Sequence, residues 1–108
     1  MIEITRFNDT FSFTAGATAG TTTARFSFQQ MAGAGVVIGA TNGATQINWY
    51  AAAGAEDTPV QIYSDGSAIT TAVTVGAHPV PDACFAFPYV APIVTGSTSC
   101  SMTIVVKG

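Results

Sequence analysis

Along most of this chain, apolar and polar side chains alternate with a period of two, which is the pattern of β-strands that have one covered face. Residues 46–50 read Gln-Ile-Asn-Trp-Tyr, so Ile47 and Trp49 share one side of a strand and Tyr50 lies on the other. Residues 99–106 repeat the alternation. β-Branched and aromatic residues dominate these segments and leucine is absent. The pattern therefore predicts strands rather than helices.

The dipeptide Asn42-Gly43 separates two such segments and accepts the positive φ angles of a tight hairpin turn. We therefore expect residues 36–41 to pair with residues 44–50. The expected cross-strand pairs are Ile38 with Ile47 and Val36 with Trp49. All four side chains then share the core face, which makes Trp49 a packing residue.

A second hairpin is predicted at Asp65-Gly66, between residues 59–64 and 67–75. Its register pairs Ile62 with Ile69 and Val60 with Thr71, and Val73 and Val75 continue the same inward face. The alternation then turns Gln61 and Tyr63 outward.

Further strands are predicted at residues 2–7, 10–14, 24–29 and 89–94, the last of which pairs with residues 99–106. Pro92 lacks a donor for the ladder, so its strand is expected at an edge or a bulge. These segments predict a single all-β domain over residues 1–108. It is an antiparallel β-sandwich, with the jelly roll as one form of it, and has about eight or nine strands. Residues 1–10 are expected to form either an edge strand or an arm that adds a strand to a neighbour.

Charge is scarce, with three basic and six acidic residues among 108 and none in residues 26–55 or 83–106. Soluble domains devote about a quarter of their residues to charge, and a nearly neutral surface tends to self-associate. We therefore expect copies of the chain or a partner to cover much of the surface. Arg6, Arg25 and Lys107 are too dispersed to bind phosphates, so neither nucleic acid nor a membrane surface is expected as a partner.

No set of residues indicates a reaction. His78 is the single histidine and lies in the sequence Gly-Ala-His-Pro-Val-Pro-Asp, which predicts an extended crossover at the surface or at a subunit contact. The loop carboxylates show neither glycosidase nor calcium-site spacing. We therefore expect no catalysis, no metal and no cofactor.

Cys84 and Cys100 are the two cysteines, and free, mostly buried thiols are expected, with a bond across stacked sheets as the alternative. Residues 1–6 lack the features of a secretory signal. The charge-free stretch 83–106 contains Pro88, Pro92 and Gly96, so it does not predict a membrane-spanning helix.

The second half of the chain carries a series of short motifs in a fixed order. They are Ile-Asn-Trp-Tyr at 47–50, Val-Gln-Ile-Tyr-Ser-Asp-Gly at 60–66, Pro-Val-Pro-Asp-Ala-Cys-Phe at 79–85, Tyr-Val at 89–90 and Met-Thr-Ile-Val-Val-Lys-Gly at 102–108. This order resembles small virion structural proteins of tailed bacteriophages. The resemblance implies a place in the virion, as in decoration or cement proteins, which sit on the outer capsid surface, often as trimers, and tie major capsid subunits together.

We therefore expect a noncatalytic capsid decoration protein that is assembled in the host cytoplasm and bridges and stabilises major capsid subunits. Its expected partners are the major capsid protein and itself, with a homotrimer favoured. The expected interface residues are Tyr50, Gln61 and Tyr63 on outward strand positions and His78, Pro79 and Pro81 in the crossover, together with the loop at residues 15–23. Two alternatives remain: a tail or head-fibre component of the virion, and a small carbohydrate-binding β-sandwich module with exposed aromatic rings.

Overall fold

A computed structural model describes residues 8–15, 25–27, 33–96 and 100–107. The strands are β1 (Asn8–Ala15), β2 (Gly33–Ala40), β3 (Gln46–Ala52), β4 (Val60–Gln61), β5 (Tyr63–Ser64), β6 (Ser67–Ala68), β7 (Thr70–Ala72), β8 (Gly76–Pro79), β9 (Tyr89–Thr95) and β10 (Cys100–Lys107), with a 3₁₀ helix at Asp82–Ala86. Every strand pair is antiparallel. The predicted all-β antiparallel fold class is confirmed.

The strands pair in an order that runs from the two ends of the sequence toward its middle. β1 pairs with β10, Phe26 bridges to β9 at Val90, β2 pairs with β8, and β3 pairs with β7. Side-by-side pairing of β10 with β2 and of β9 with β3 joins these ribbons into two sheets. The first sheet has the order β1-β10-β2-β8. In the second, β3 lies between β9, to which Phe26 is bridged, and the strands β7 and β4. β5 and β6 form a separate two-stranded sheet. A long hairpin rolled up in this way is a jelly roll.

The core lies between these two sheets. β2 supplies Val36 and Ile38, and β3 supplies Ile47 and Trp49, all with no exposed surface. The inward residues of β10 complete the cluster. The Trp49 indole Nε1 donates a hydrogen bond of 2.9 Å to Thr71 Oγ1, which satisfies the one polar atom of a buried side chain. The predicted packing role of Trp49 and the predicted inward faces of β2 and β3 are confirmed.

The turn at Asn42-Gly43 is present, with φ angles of 48° and 91° and a hydrogen bond of 2.9 Å from the Ala44 N–H to the Thr41 carbonyl. The strands that it joins, however, belong to different sheets. The predicted pairing of β2 with β3 is therefore wrong: their inward side chains lie on facing sheets. Alternation specifies which side of a strand is buried but not which strand lies beside it.

The predicted pairing of β9 with β10 is also wrong. β10 lies between β1 and β2, and β9 lies beside β3. The proline strand is not a free edge as expected, since β9 lies between β3 and the bridge from Phe26 to Val90. The Trp49 N–H donates to Ile69 and the Trp49 carbonyl accepts from Ile62, so both Trp49 groups point away from β9. Pro92, which is opposite Trp49, therefore turns its nitrogen away from β3, so its missing N–H removes no bond between β9 and β3.

The hairpin at Asp65-Gly66 forms as predicted, with Ile69 N–H donating to the Ile62 carbonyl at 3.0 Å. Before Ile62 and after Ile69 the two strands separate, because each pairs with a different half of β3. The predicted pair of Val60 with Thr71 is therefore wrong. Val60 lies opposite Ala51, and Val60 and Val75 are exposed rather than inward.

The crossover predicted at residues 76–82 begins with a short strand, β8, which pairs with β2. The Val80 N–H donates to the Ala34 carbonyl at 3.1 Å, so the neighbouring Pro79 nitrogen faces the open edge. The predicted strand at residues 2–7, the N-terminal arm apart from residues 8–10, which belong to β1, and the loop at 16–23 lie outside the described residues. In the part of the chain that the structure describes, no helix is long and apolar enough to cross a membrane.

Candidate functional site

The six predicted interface residues fall into two regions. Tyr50 and Gln61 are cross-strand partners on the outer face of the second sheet, where both are half-buried. Tyr63 follows on β5 and is 65 % exposed. His78, Pro79 and Pro81 lie on or just after β8, at the edge of the first sheet. The predicted strand residues and the predicted crossover residues therefore lie in separate regions, and their role in binding stays a prediction.

The Gln61 side chain has a structural task. Its Nε2 amide lies 3.0 Å from the Trp49 carbonyl, 2.9 Å from the Ile62 carbonyl and 3.3 Å from the Ile69 carbonyl. These three carbonyls meet where the hairpin leaves the second sheet. Each carbonyl also accepts a main-chain N–H, from Ile62, Ile69 and Trp49 respectively, so the amide supplies an additional donor where the three strands meet. Gln61 therefore holds the base of the hairpin. Its outward position in the alternating sequence pattern did not indicate this role.

The hairpin itself is open to solvent. Every residue from 63 to 68 is exposed, and the tip adopts positive φ at Asp65 and Gly66 (53° and 82°). Val60 on the adjoining β4 is 66 % exposed. Val60 and Tyr63 are named here the hairpin surface. An exposed tyrosine on an anchored ribbon offers contact area with few torsions to immobilise.

A second exposed apolar region lies on the outer side of the first sheet. The register places Val105, Gly35 and Pro79 in one row across β10, β2 and β8, and Thr103, Val37 and Ala77 in the next row. We call these six residues the groove face. All of them except Thr103 border a groove of about 540 Å³. Val37 is 43 % exposed and Val105 is 36 % exposed.

No charged residue lines this groove, whose wall consists of glycine, alanine, valine and proline with one histidine. The outer face of the second sheet differs. There Gln46 Nε2 donates to Asn48 Oδ1 at 2.7 Å, and Asn48 Nδ2 donates to Thr95 Oγ1 at 2.9 Å and to the Ile93 carbonyl at 3.2 Å. These amides are satisfied within the molecule. The groove face is therefore the sheet surface whose burial would remove apolar area from water at the least cost in polar groups.

The fold is shared with a phage-derived protein. Over the full length of both chains, the structure superposes on the crystal structure of SPBc2 prophage-derived protein YomS with a TM-score of 0.56 and 18 % sequence identity. No protein-family model and no curated protein matches the sequence. At this level of identity the similarity establishes the fold.

His78 is held by its own strand connection. Its Nε2 donates a hydrogen bond of 2.9 Å to the Thr74 carbonyl, and the Thr74 hydroxyl lies 3.3 Å from the same nitrogen. No carboxylate or thiol shares a hydrogen bond with the ring in the described residues. Those residues also contain no group of three or more His, Cys, Asp or Glu side chains that could hold a metal ion.

Both cysteines are free and buried, which agrees with the first of the two alternatives expected from the sequence. Burial raises the pKa of the Cys84 thiol to about 12 and also raises the pKa of Cys100. A thiolate is the reactive form of cysteine. At neutral pH both side chains therefore act as small apolar residues of the core.

Sequence reasoning overlooked two features. Arg25 Nη1 donates to the Gly54 carbonyl at 3.0 Å and to the Asp57 carbonyl at 2.8 Å, which fastens the loop after β3. Gly39 is the extra residue of a bulge in β2, since Ser101 pairs with Ala40 and Met102 with Ile38. A lone arginine and a glycine in an apolar strand carry no local signal for either arrangement.

Proposed function

We propose that this chain is a noncatalytic structural protein of a phage virion, and specifically a capsid decoration protein that bridges and stabilises major capsid subunits. Three features support the proposal. The fold is shared with a prophage-derived protein, jelly rolls are used by viral capsid domains, and the chain carries charge on only nine residues, three basic and six acidic.

One observation carries the bridging role. The exposed apolar side chains include two separate groups on different sheets, the groove face with Val37 and Val105 and the hairpin surface with Val60 and Tyr63. A protein that ties two subunits together needs two contact regions. The charge-free groove and the anchored hairpin meet that requirement in one small domain.

The energy of such a bridge comes from apolar burial. Removal of apolar surface from water contributes about 25 cal/mol per Å², and permanent interfaces bury about 2,000 Å² or more in total. Repetition of the contact over a symmetric particle adds avidity without new kinds of contact. The proposal assigns no chemistry to His78 or Cys84. The His78 ring is hydrogen-bonded to a main-chain carbonyl, and burial keeps the Cys84 thiol protonated.

The test is location and occupancy in purified particles of the phage that encodes the chain. Immunogold labelling on the head, with loss of label after Val60→Glu with Tyr63→Ser but not after Thr70→Glu, is the expected result. Thr70 is an exposed residue on the same sheet and serves as the matched control. Label on the tail would favour the fibre alternative, and particles without the chain would overturn the virion assignment.

A carbohydrate-binding module is the second candidate, because jelly rolls are also lectin folds and Tyr63 is exposed. A glycan array with the purified chain separates the two. Saturable glycan binding that is lost with Tyr63→Ala would replace the virion proposal with this one.

A further inference from the structure

The chain contains a single Asn-Gly dipeptide, at residues 42–43, and both residues are exposed to solvent. Asn-Gly is the dipeptide in which a main-chain nitrogen most readily attacks a side-chain amide, because glycine places no Cβ in the way. Asn42 and Gly43 have φ angles of 48° and 91°, and the Ala44 N–H donates to the Thr41 carbonyl. Two positive φ angles closed by this bond define a type I′ turn. The reactive dipeptide is therefore held in one conformation.

The reaction open to this dipeptide is deamidation. The Gly43 main-chain nitrogen attacks Cγ of Asn42 and forms a new C–N bond. The proton of the Gly43 N–H passes to the side-chain nitrogen, whose bond to Cγ breaks, and ammonia leaves. Water then adds to either carbonyl of the cyclic imide and opens it, which gives aspartate or isoaspartate. In isoaspartate the main chain runs through Cβ and Cγ, so it is longer by a methylene group.

The folded turn keeps the reacting atoms apart. Ring closure requires the Gly43 nitrogen to lie on the same side of the Asn42 Cα–C bond as Cβ. A type I′ turn gives its first central residue a ψ of about +30°, which places that nitrogen nearly opposite Cβ. The amide therefore reaches the nitrogen only when the turn opens.

The surroundings of the turn make its opening costly. A Cβ at Gly96 would lie 2.7 Å from the Gly43 carbonyl oxygen and 3.8 Å from the Ala44 Cα, so the turn rests on the connection that follows β9. Ala44 is part of the core cluster, and the Thr45 N–H donates to the Thr95 carbonyl at 2.9 Å. Opening of the turn disturbs these contacts together. The free energy of local opening rises with buried contacts of this kind.

We propose that Asn42 is a modification site controlled by the fold: it is converted to isoaspartate when the connection between β2 and β3 opens, and the product prevents that connection from closing as before. The longer main chain cannot keep both the turn conformation and the close approach of Gly43 to Gly96. The product also carries a negative charge within residues 26–55, which otherwise have none. Deamidation thereby makes opening of this end of the sandwich irreversible.

The hairpin tip supplies a similar turn that lacks the packing. Asp65 and Gly66 are exposed and have φ angles of 53° and 82°. No described atom lies within 4 Å of the position that a Cβ on Gly66 would take, whereas the same position at Gly43 lies 3.3 Å from the Gly96 carbonyl oxygen. Asp65→Asn therefore creates the same dipeptide, with similar φ angles, where no second segment packs on the glycine.

Peptide mass spectrometry of the Asp65→Asn chain in mildly alkaline buffer measures both sites in one molecule. In the folded chain, we expect deamidation at Asn42 to be at least about tenfold slower than at position 65, because a packed turn opens less often. In denaturant the two rates should be similar. Equal rates in the folded chain, or no deamidation of Asn42 in denaturant, would overturn the proposal.

A second pair of variants tests the role of the packed connection. Gly96→Ala should accelerate deamidation of Asn42 several-fold, because the added methyl group forces the two connections apart. Thr71→Val weakens the core elsewhere, at the hydrogen bond to the Trp49 indole, and should not accelerate it. Circular dichroism shows that both variants fold. An equal acceleration by both would show that global unfolding, rather than this contact, controls the reaction.

The product gives an independent measurement. Chains with isoaspartate at position 42 are separated by ion exchange through their added charge and are then unfolded in urea. Their midpoint should lie below that of Asn42→Asp, which carries the same charge on an ordinary main chain and tolerates a positive φ. Equal midpoints would show that the turn accommodates the longer main chain and would overturn the irreversible step. None of these outcomes depends on the proposed place in a virion.

Discussion

A methyl group at Gly96 would lie 2.7 Å from the carbonyl oxygen of Gly43. These two glycines belong to the turns that carry the chain between the sheets, one after β2 and the other after β9, and both have a φ of 91°. The two crossings therefore pack backbone against backbone. Their contact lies at one end of the sandwich and, together with the positive φ, disfavours a side chain at both positions, most strongly at Gly96.

Substitution of Gly96 by alanine should lower the free energy of unfolding by about 2–4 kcal/mol, through positive φ together with the clash at Gly43. Gly66→Ala is the matched control, since Gly66 has a φ of 82° but no atom within 4 Å of the place that an added methyl group would take. It should cost only about 1–2 kcal/mol. Urea denaturation measures both, and equal losses would show that the contact between the crossings contributes nothing.

Replacement of Gln61 should destabilise the protein through the base of the hairpin. Gln61→Leu removes the side-chain donor from the carbonyls of Trp49, Ile62 and Ile69. These carbonyls keep their main-chain donors, so the change should cost about 0.5–1.5 kcal/mol. Gln61→Glu should cost more at pH 7, because a carboxylate faces the same carbonyl oxygens, and should recover stability as acid protonates it. Thermal unfolding across pH measures the effect. A loss from Tyr63→Ala as large as that from Gln61→Leu would contradict this division of roles.

The Trp49 indole depends on Thr71 for its hydrogen bond. Thr71→Val keeps the shape but leaves a buried N–H without an acceptor, so we expect the free energy of unfolding to fall by about 1–3 kcal/mol. Thr70→Val, at the adjacent exposed position, should change it by less than about 0.5 kcal/mol. Chemical denaturation followed by tryptophan fluorescence compares the pair. Equal stabilities would show that the bond to Thr71 is energetically neutral.

The buried thiols predict loss of stability in alkali. Because the folded pKa of Cys84 is raised from 9.0 to about 12, the unfolded thiol ionises first as pH rises. The free energy of unfolding therefore does not depend on this thiol below pH 9. It falls between about pH 9 and 12, by up to about 1.4 kcal/mol per pH unit. Cys84→Ala should flatten this part of the pH profile relative to the native chain. Parallel slopes for the two proteins would contradict the assignment.

Reaction with a thiol reagent at pH 8 gives a separate measurement. We expect both cysteines to react slowly in the folded protein and at once in denaturant, since burial excludes the reagent and suppresses the thiolate. Fast labelling of either cysteine under native conditions would show that its site opens.

Local patterns identified a large part of the molecule. Alternation placed Ile47 and Trp49 inward, and the Asn-Gly and Asp-Gly pairs marked turns that do form. The candidate site was predicted only in part. Tyr63 was expected outside and is exposed, whereas the amide of Gln61 is used by the protein itself. The groove face was not foreseen, because it depends on how β10, β2 and β8 line up.

The sequence by itself determined most of the strands, the buried side of β2 and β3 and the low content of charge, because these depend on side-chain type and on a repeat of two residues. Only the tertiary structure decided which strands are neighbours. Inward residues on two strands look the same whether those strands pair in one sheet or face each other across the core, as β2 and β3 do. Long-range packing chooses between these arrangements, and with them the surfaces that are left for binding.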